Sequence, residues 1–245
     1  MSDDEHITES DLGTKSYWDD FYNTELENFE NNGNCGETWF GKPNTHKIIE
    51  WIAERCGKTS KFLLVIYNLF MILFGSTGLI CDIGCGNGYM LSKLACKGFL
   101  TSMLVGIDYS EQAINFCKKL YSQNDITKDI RFEVVDILQN NFTSEKFDII
   151  IDKGTYDAIC LMPNGDIQLN RQKYWYFITK HLKNENSYFV IMSCNFTKEE
   201  LLKFLLQNDA FQLIHEFETP KLLFGGKEGS QVTGLVMKWT INNKQ

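Results

Sequence analysis

Proline is scarce in this 245-residue sequence, and acidic residues outnumber basic ones. Three prolines and the absence of a Gly/Ser-rich tract or a repeat leave no linker, so we expect one α/β domain. The formal net charge of −8 disfavours direct nucleic-acid binding, which depends on lysine and arginine contacts to phosphate. A basic protein partner or a small molecule suits an acidic chain better.

The eight cysteines lack the spacing of a metal centre or a disulfide framework. No C-x-x-C pair and no histidine-rich neighbourhood occurs, so we predict no metal site and free thiols in a reducing compartment. The N-terminus, MSDDEHITES, differs from a signal or transit peptide. We expect a disordered tail over residues 1–12 and a cytoplasmic protein, with the nucleus as a further compartment.

One long apolar stretch, residues 62–75, is too short to span a bilayer as a helix, which takes about 20 residues. It is compatible with a buried helix or strand. A membrane-surface anchor is a second interpretation, although the basic face of such anchors is absent. We expect no membrane association and treat residues 58–78 as an atypical insertion, either without function or produced by a wrongly predicted exon.

Strand-like and helix-like segments alternate in the rest of the chain. Residues 13–57 look largely helical and form a lid or N-terminal segment. The predicted strands are 79–83, 103–108, 130–137, 147–154, 187–192, 211–217 and 230–239. The predicted helices are 88–97, 110–121, 168–182 and 197–207.

This alternation implies crossover connections and a doubly wound, mostly parallel sheet. The last two strands are joined by a Gly-rich connection without room for a long helix. We therefore expect an antiparallel hairpin at one edge of the sheet. Residues 79–240 form the predicted Rossmann-like core, and 13–245 a single domain.

The segment LICDIGCGNGYM, residues 79–90, places Gly84, Gly86 and Gly88 between a strand and a helix. Ligands bind at this position in α/β sheets, and glycines let the backbone approach them closely. The G-x-G-x-x-G fingerprint does not fit, because Gly88 comes one residue early and Tyr89 takes the place of the third glycine. The G-K-[ST] of a P-loop is also missing, so a phosphate-binding loop is disfavoured.

An acidic residue ends each of the first four predicted strands: Asp82, Asp108, Asp136 and Asp152. These carboxylates would face one crevice and would repel a pyrophosphate. They suit S-adenosylmethionine, which carries an ammonium, a ribose diol and an exocyclic amine but no phosphate. We expect Asp82 at its methionine end, Asp108 at the ribose hydroxyls and Asp136 at the adenine amine.

Three motifs, LICDIGCGNG, VGIDYS and VVDI, resemble those of the seven-strand S-adenosylmethionine-dependent methyltransferases. The resemblance implies a parallel sheet whose seventh strand inserts antiparallel between the fifth and sixth. It also implies S-adenosyl-L-methionine as the cofactor. The residues implied to bind it are Asp82, Gly84, Cys85, Gly86, Gly88, Asp108, Tyr109, Asp136, Ile137 and Asp152.

Further motifs, among them DKGTYDA, GTKSYWDDFY, GETWFG and SCNFTKEEL, resemble a narrower family, the lysine methyltransferases of translation elongation factor 1-alpha. The N-P-P-Y or D-P-P-Y motif of enzymes that methylate adenine is absent. The resemblance implies a basic protein substrate, elongation factor 1-alpha. The residues alone support only the cofactor, so a small-molecule methyltransferase and a non-catalytic cofactor-binding subunit remain alternatives.

A lysine amine must be neutral to accept a methyl group, yet with a pKa near 10.4 only about one in a thousand is neutral at physiological pH. An apolar slot that excludes water would lower this pKa. We predict Asp152, Tyr156 and Trp39 as the catalytic residues, with Asp152 orienting the cofactor or acceptor. The other candidate wall residues are Tyr17, Trp18, Phe40 and Asn195. Lys153 is expected to point away from the methyl donor, because both are cationic.

Overall fold

The computed structural model describes residues 8–56, 78–139, 142–163, 165–219, 221–224 and 227–240. The apolar stretch at 62–75, and all of the predicted insertion except Gly78, lie outside these residues, as do residues 1–7 of the predicted tail. Within the described ranges, none of the helices combines the length and apolarity that crossing a membrane requires.

Seven α-helices and nine strands occupy the described residues. The helices are α1 (Lys15–Asn32), α2 (Gly41–Cys56), α3 (Tyr89–Cys96), α4 (Glu111–Tyr121), α5 (Thr155–Cys160), α6 (Ile167–His181) and α7 (Lys198–Leu205). The strands are β1 (Ile80–Ile83), β2 (Leu104–Asp108), β3 (Arg131–Val134), β4 (Ile149–Lys153), β5 (Tyr188–Ser193), β6 (Phe211–Glu216), β7 (Lys221–Phe224), β8 (Lys227–Ser230) and β9 (Thr233–Trp239).

Seven of these strands form one sheet in the order β3-β2-β1-β4-β5-β9-β6. The first five strands are parallel. Strand β9 lies between β5 and β6 and is antiparallel to both. The doubly wound, mostly parallel sheet and its antiparallel edge are thereby confirmed, including the inserted position of the last strand.

The connection between β6 and β9 holds an element that the sequence interpretation missed. Strands β7 and β8 pair antiparallel as a separate two-stranded sheet, where the Gly-rich sequence suggested only a turn. Helix α5 was also missed, because six residues are too few to show helical periodicity. Strand β3 is shorter than predicted, since it ends at Val134 and leaves Asp136 in the turn that follows.

The N-terminal helices cover part of the sheet and reach the carboxyl ends of its strands. Three isoleucines of α2, Ile48, Ile49 and Ile52, are fully buried against one face of the sheet. Helix α1 packs on α4, where the rings of Phe29 and Phe116 lie 6.2 Å apart. Nearer the start of α1, Tyr22 reaches the loop that follows β1, where a Cβ atom on Gly86 would lie 2.4 Å from its Oη.

Candidate functional site

A cleft opens at the carboxyl ends of β1, β2 and β4. It encloses about 970 Å³ of space between atoms, a volume that includes open solvent. The N-terminal segment contributes Gly13, Trp18, Tyr22, Glu37 and Trp39 to its walls. The loops after the strands contribute Gly84, Cys85, Gly86, Asn87, Asp108, Tyr109, Asp136, Ile137, Lys153, Gly154 and Thr155, among others.

The glycine loop forms one wall in a backbone conformation that disfavours other residues. Gly84 and Gly86 have φ angles of 62° and 55°. A Cβ atom on Gly84 would lie 2.0 Å from Thr155 Oγ1, and one on Gly86 would lie 2.4 Å from Tyr22 Oη. The loop is therefore held between α5 and α1, with its backbone exposed to the cleft.

Gly88 has a different position from the other two loop glycines. It precedes α3, does not line the cleft, and packs so closely on Phe132 and Tyr121 that a Cβ would lie under 3.0 Å from both rings. Its predicted cofactor contact does not fit this placement. Gly88 instead provides a positive φ angle and close packing at the start of the helix.

Asp108, at the end of β2, faces the cleft and anchors the glycine loop. Its Oδ2 accepts a hydrogen bond from Gly86 N at 3.1 Å, and its Oδ1 accepts one from Ser110 N at 3.0 Å. Burial raises its pKa to about 6, although both backbone donors act to lower it. A carboxylate offers about four lone-pair positions, so Asp108 keeps acceptor capacity for a ligand.

Asp136, Ile137 and Tyr109 line the part of the cleft beside β2 and β3. Asp136 Oδ1 accepts a hydrogen bond from Leu138 N at 2.9 Å, which fixes the turn after β3. Ile137 is buried and gives this end of the cleft an apolar surface. The arrangement suits a flat group with polar edges.

Asp82 lies beneath the glycine loop and is not among the residues that line the cleft. Its side chain is 2 % exposed, and burial raises its pKa to about 7, partly opposed by the positive charge of Lys153. The predicted direct contact of Asp82 with a ligand therefore does not fit its position.

Asp152 was predicted to be catalytic, but the structure places its side chain away from the cleft. The side chain is fully buried and does not line the cleft. Its Oδ1 accepts a hydrogen bond from Thr155 N at 2.8 Å, and its Oδ2 accepts bonds from Tyr156 N at 3.0 Å and Tyr174 Oη at 2.5 Å. Asp152 therefore anchors the start of α5, a role that its spacing to Thr155 could have indicated.

Tyr156 is the second predicted catalytic residue that lies away from the cleft. It is 1 % exposed, and its ring packs 4.9 Å from Tyr174 and 5.0 Å from Phe196. The ring is enclosed by other aromatic side chains and does not line the cleft. Asn195 also lies outside the cleft, as an exposed residue whose backbone N–H donates to Ser193 Oγ.

Two tryptophans form an aromatic wall of the cleft. The rings of Trp18 and Trp39 meet edge to face at 5.4 Å, and Trp18 Nε1 donates to Leu12 O at 2.7 Å. A Cβ on Gly154 would lie 2.8 Å from Trp39 Cδ1, so the absence of a side chain there admits the ring. Tyr17 and Phe40, the other predicted wall residues, do not line the cleft.

Lys153 lines the cleft, and its expected orientation away from the methyl donor stays a prediction. Its Nζ donates to Trp39 O at 3.0 Å and lies 5.8 Å from the centre of the Phe40 ring. Tyr22 and Asn87 are two further wall residues that the sequence interpretation missed. Asn87 Nδ2 donates to Glu37 O at 2.9 Å and so ties the N-terminal segment to the glycine loop.

Replacement of Asp152 by asparagine should lower the free energy of unfolding by about 1–3 kcal/mol, because an amide donor would face N–H and O–H donors in the core. Affinity for a cleft ligand should stay unchanged in the folded variant. Denaturant unfolding measures the first effect, with exposed Asp125→Asn as the control. Wild-type stability combined with lost turnover would restore a catalytic role for Asp152.

Comparison with known proteins relates the chain to methyltransferases. Residues 76–234 match a family described as a methyltransferase domain. EEF1A lysine methyltransferase 2 of Danio rerio is 36% identical over 236 residues, which cover 96% of this chain and 91% of that protein. The human protein of the same name is also 36% identical, over 94% of this chain and 87% of its own length.

Two further similarities extend this picture. Protein-lysine N-methyltransferase EFM4 of Saccharomyces cerevisiae is 32% identical over 92% of this chain and 93% of its own length. The solved structure of the [4+2]-cyclase SpnF is similar with a TM-score of 0.59, over 96% of this chain and 98% of that one. At 12% identity, this likeness concerns the fold alone.

Proposed function

The chain belongs to the S-adenosylmethionine-dependent methyltransferases, in the family of the EEF1A lysine methyltransferases, and from this membership we propose that it methylates a lysine of translation elongation factor 1-alpha. One structural observation supports the proposal independently of the family relationship. A single cleft combines the glycine loop and Asp108 with an aromatic wall of Trp18 and Trp39. Such a cleft can hold the cofactor on one side and a desolvated acceptor on the other.

The residues present fit S-adenosylmethionine. Gly84 and Gly86 expose backbone to the cleft, and Asp108 keeps lone pairs for the two hydroxyls of a ribose. Asp136 and Ile137 offer an acceptor and an apolar surface to an adenine. When bound, S-adenosylmethionine supplies an electrophilic methyl group on a cationic sulfonium.

The contribution of the protein to the reaction is then mainly positioning and exclusion of water. Trp39 and Trp18 form a wall at which an incoming lysine side chain loses its hydration, and this loss lowers the pKa of its ammonium. Alignment of the neutral amine in a water-poor slot accelerates the transfer without a strong base. We assign Asp152 and Tyr156 no direct contact with cofactor or acceptor, because both are buried and neither lines the cleft.

The acidic character of the chain supports a basic protein substrate, without direct contact to nucleic acid or membrane. We place the protein in the cytoplasm, where translation takes place, with the nucleus as a further compartment. Residues of α1 and of the segment before α2 share the cleft with the sheet loops, which supports one domain that starts near residue 13.

Binding of S-adenosylhomocysteine, the demethylated product of the cofactor, should tighten as the pH rises from about 5 to 7. Burial raises the pKa of Asp108 to about 6, and only the ionised carboxylate can accept both ribose hydroxyls. Binding of S-adenosylhomocysteine therefore favours the ionised form of Asp108. Calorimetric affinities across this pH range test the effect, with Asp108→Asn as the variant that should show a flatter profile. A pH-independent wild-type affinity would refute this role of Asp108.

The proposed activity can be tested with S-adenosylmethionine labelled in its methyl group. Purified elongation factor 1-alpha and a metabolite extract without protein serve as parallel acceptors. We expect the label in the factor and none in the metabolites. Label that enters metabolites alone would instead support a small-molecule methyltransferase, and no transfer to either acceptor would favour a non-catalytic subunit.

A further inference from the structure

The ammonium group of Lys153 lies in the cleft with most of its hydrogen-bonding capacity unused. Lysine carries three N–H donors. Among the residues that the structure describes, the carbonyl of Trp39 is the single acceptor bonded to Lys153 Nζ. Among the described residues, the other two donors of this half-buried cation meet no acceptor, so they are available to a ligand in the cleft.

Opposing effects act on the charge of Lys153. Burial lowers its pKa, and the nearby Asp82 on β1, Asp152 on β4 and Cys85 oppose this shift without reversing it. The Phe40 ring, 5.8 Å from Nζ, adds a favourable cation–π contact. Asp82 does not neutralise Lys153 by direct contact, because their side chains form no ion pair within 4.0 Å.

Asp82 is itself a buried carboxylate without a hydrogen bond from any described residue. Its strand, β1, neighbours β4 in the sheet, where Asp82 lies opposite Ile151. Asp82 therefore acts on Lys153 through its charge and not as a hydrogen-bonded partner. Lys153 Nζ is held by Trp39 O and lines the cleft, where a ligand can reach it.

We propose that Lys153 binds the carboxylate at the methionine end of S-adenosylmethionine. The inference rests on the proposed function and adds a specificity-determining residue to it. The cofactor carries one anionic group, this carboxylate, and two cationic groups, its ammonium and its sulfonium. A lysine ammonium that lines the cofactor cleft is attracted to this carboxylate and repelled by the ammonium and the sulfonium of the cofactor. Lys153 therefore fixes which end of the cofactor faces β4.

Two ligands that differ only in the carboxylate test the assignment. Calorimetry measures the dissociation constants of S-adenosylhomocysteine and of its decarboxylated analogue for the wild type, Lys153→Met and Lys153→Arg. We expect Lys153→Met to bind S-adenosylhomocysteine about 10-fold to 100-fold more weakly and the decarboxylated analogue with unchanged affinity. Lys153→Arg keeps the charge and should retain part of the preference for the carboxylate.

Lys93→Met is the matched control, since Lys93 lies outside the cleft with its Nζ over the Tyr89 ring. It should bind both ligands like the wild type. Equal losses for the two ligands in Lys153→Met, or full affinity for S-adenosylhomocysteine, would overturn the role of Lys153 alone. A wild-type protein that binds neither ligand would refute the proposed function together with this inference.

Discussion

Replacement of Asp108 by alanine should weaken the binding of S-adenosylhomocysteine by at least about 100-fold and abolish detectable methyl transfer. The substitution removes the acceptor for the ribose hydroxyls, and charge-assisted hydrogen bonds contribute about 1.5–3 kcal/mol each. It also removes the acceptor of Gly86 N and Ser110 N, so the glycine loop loses its anchor to the second strand. Calorimetry and a transfer assay measure the two effects.

The controls separate loss of binding from loss of the fold. Asp108→Asn keeps the shape and one acceptor oxygen, and it should fall between the wild type and alanine. Asp125→Ala changes an exposed carboxylate whose side chain is 94 % accessible, and it should bind normally. Wild-type affinity in Asp108→Ala would show that the cofactor does not use the end of β2.

Replacement of Trp39 by alanine should lower kcat/KM for elongation factor 1-alpha by about 100-fold. Its ring packs edge to face on Trp18 and lies over Gly154, at the wall proposed to desolvate the acceptor lysine. Removal of the Trp39 ring admits water and lets the acceptor lysine leave its attack position. A misplacement of about 1 Å can by itself lower the reaction rate about 100-fold. The affinity for S-adenosylhomocysteine should change by less than about threefold.

Trp51→Ala is the matched tryptophan control. Trp51 lies in α2 outside the cleft and packs against Tyr188, with ring centres 5.5 Å apart. We expect it to lower stability but to preserve kcat/KM of the folded protein. Steady-state kinetics together with thermal unfolding distinguish the two tryptophans. Full activity in Trp39→Ala would remove Trp39 from the acceptor site.

The parts of the fold that could be predicted from the sequence are those determined by short stretches of neighbouring residues. Continuous apolar runs identify buried parallel strands, and the glycines after β1 mark a loop whose backbone approaches a ligand. Asp108 and Asp136 were placed at strand ends, and both line the cleft. The end of a strand can be recognised in a sequence because the amino-acid composition changes at that position.

The face on which a side chain emerges was not predictable at the end of β4. Successive residues of a strand point to opposite faces, so a shift of one residue exchanges the cleft for the core. Asp152, which was expected at the cleft, faces the core, and the neighbouring Lys153 lines the cleft. The contact of Tyr22 with Gly86 was likewise hidden, because it joins residues 64 positions apart and leaves no local pattern.

Mass spectrometry of purified elongation factor 1-alpha, after incubation with this protein and S-adenosylmethionine, is the most direct test of the proposed activity. Peptide mapping should locate new methyl groups on the side-chain nitrogen of a lysine, and the Asp108→Ala variant should produce none. A factor that stays unmethylated at every lysine, while the same preparation binds S-adenosylhomocysteine normally, would contradict the assignment of the substrate.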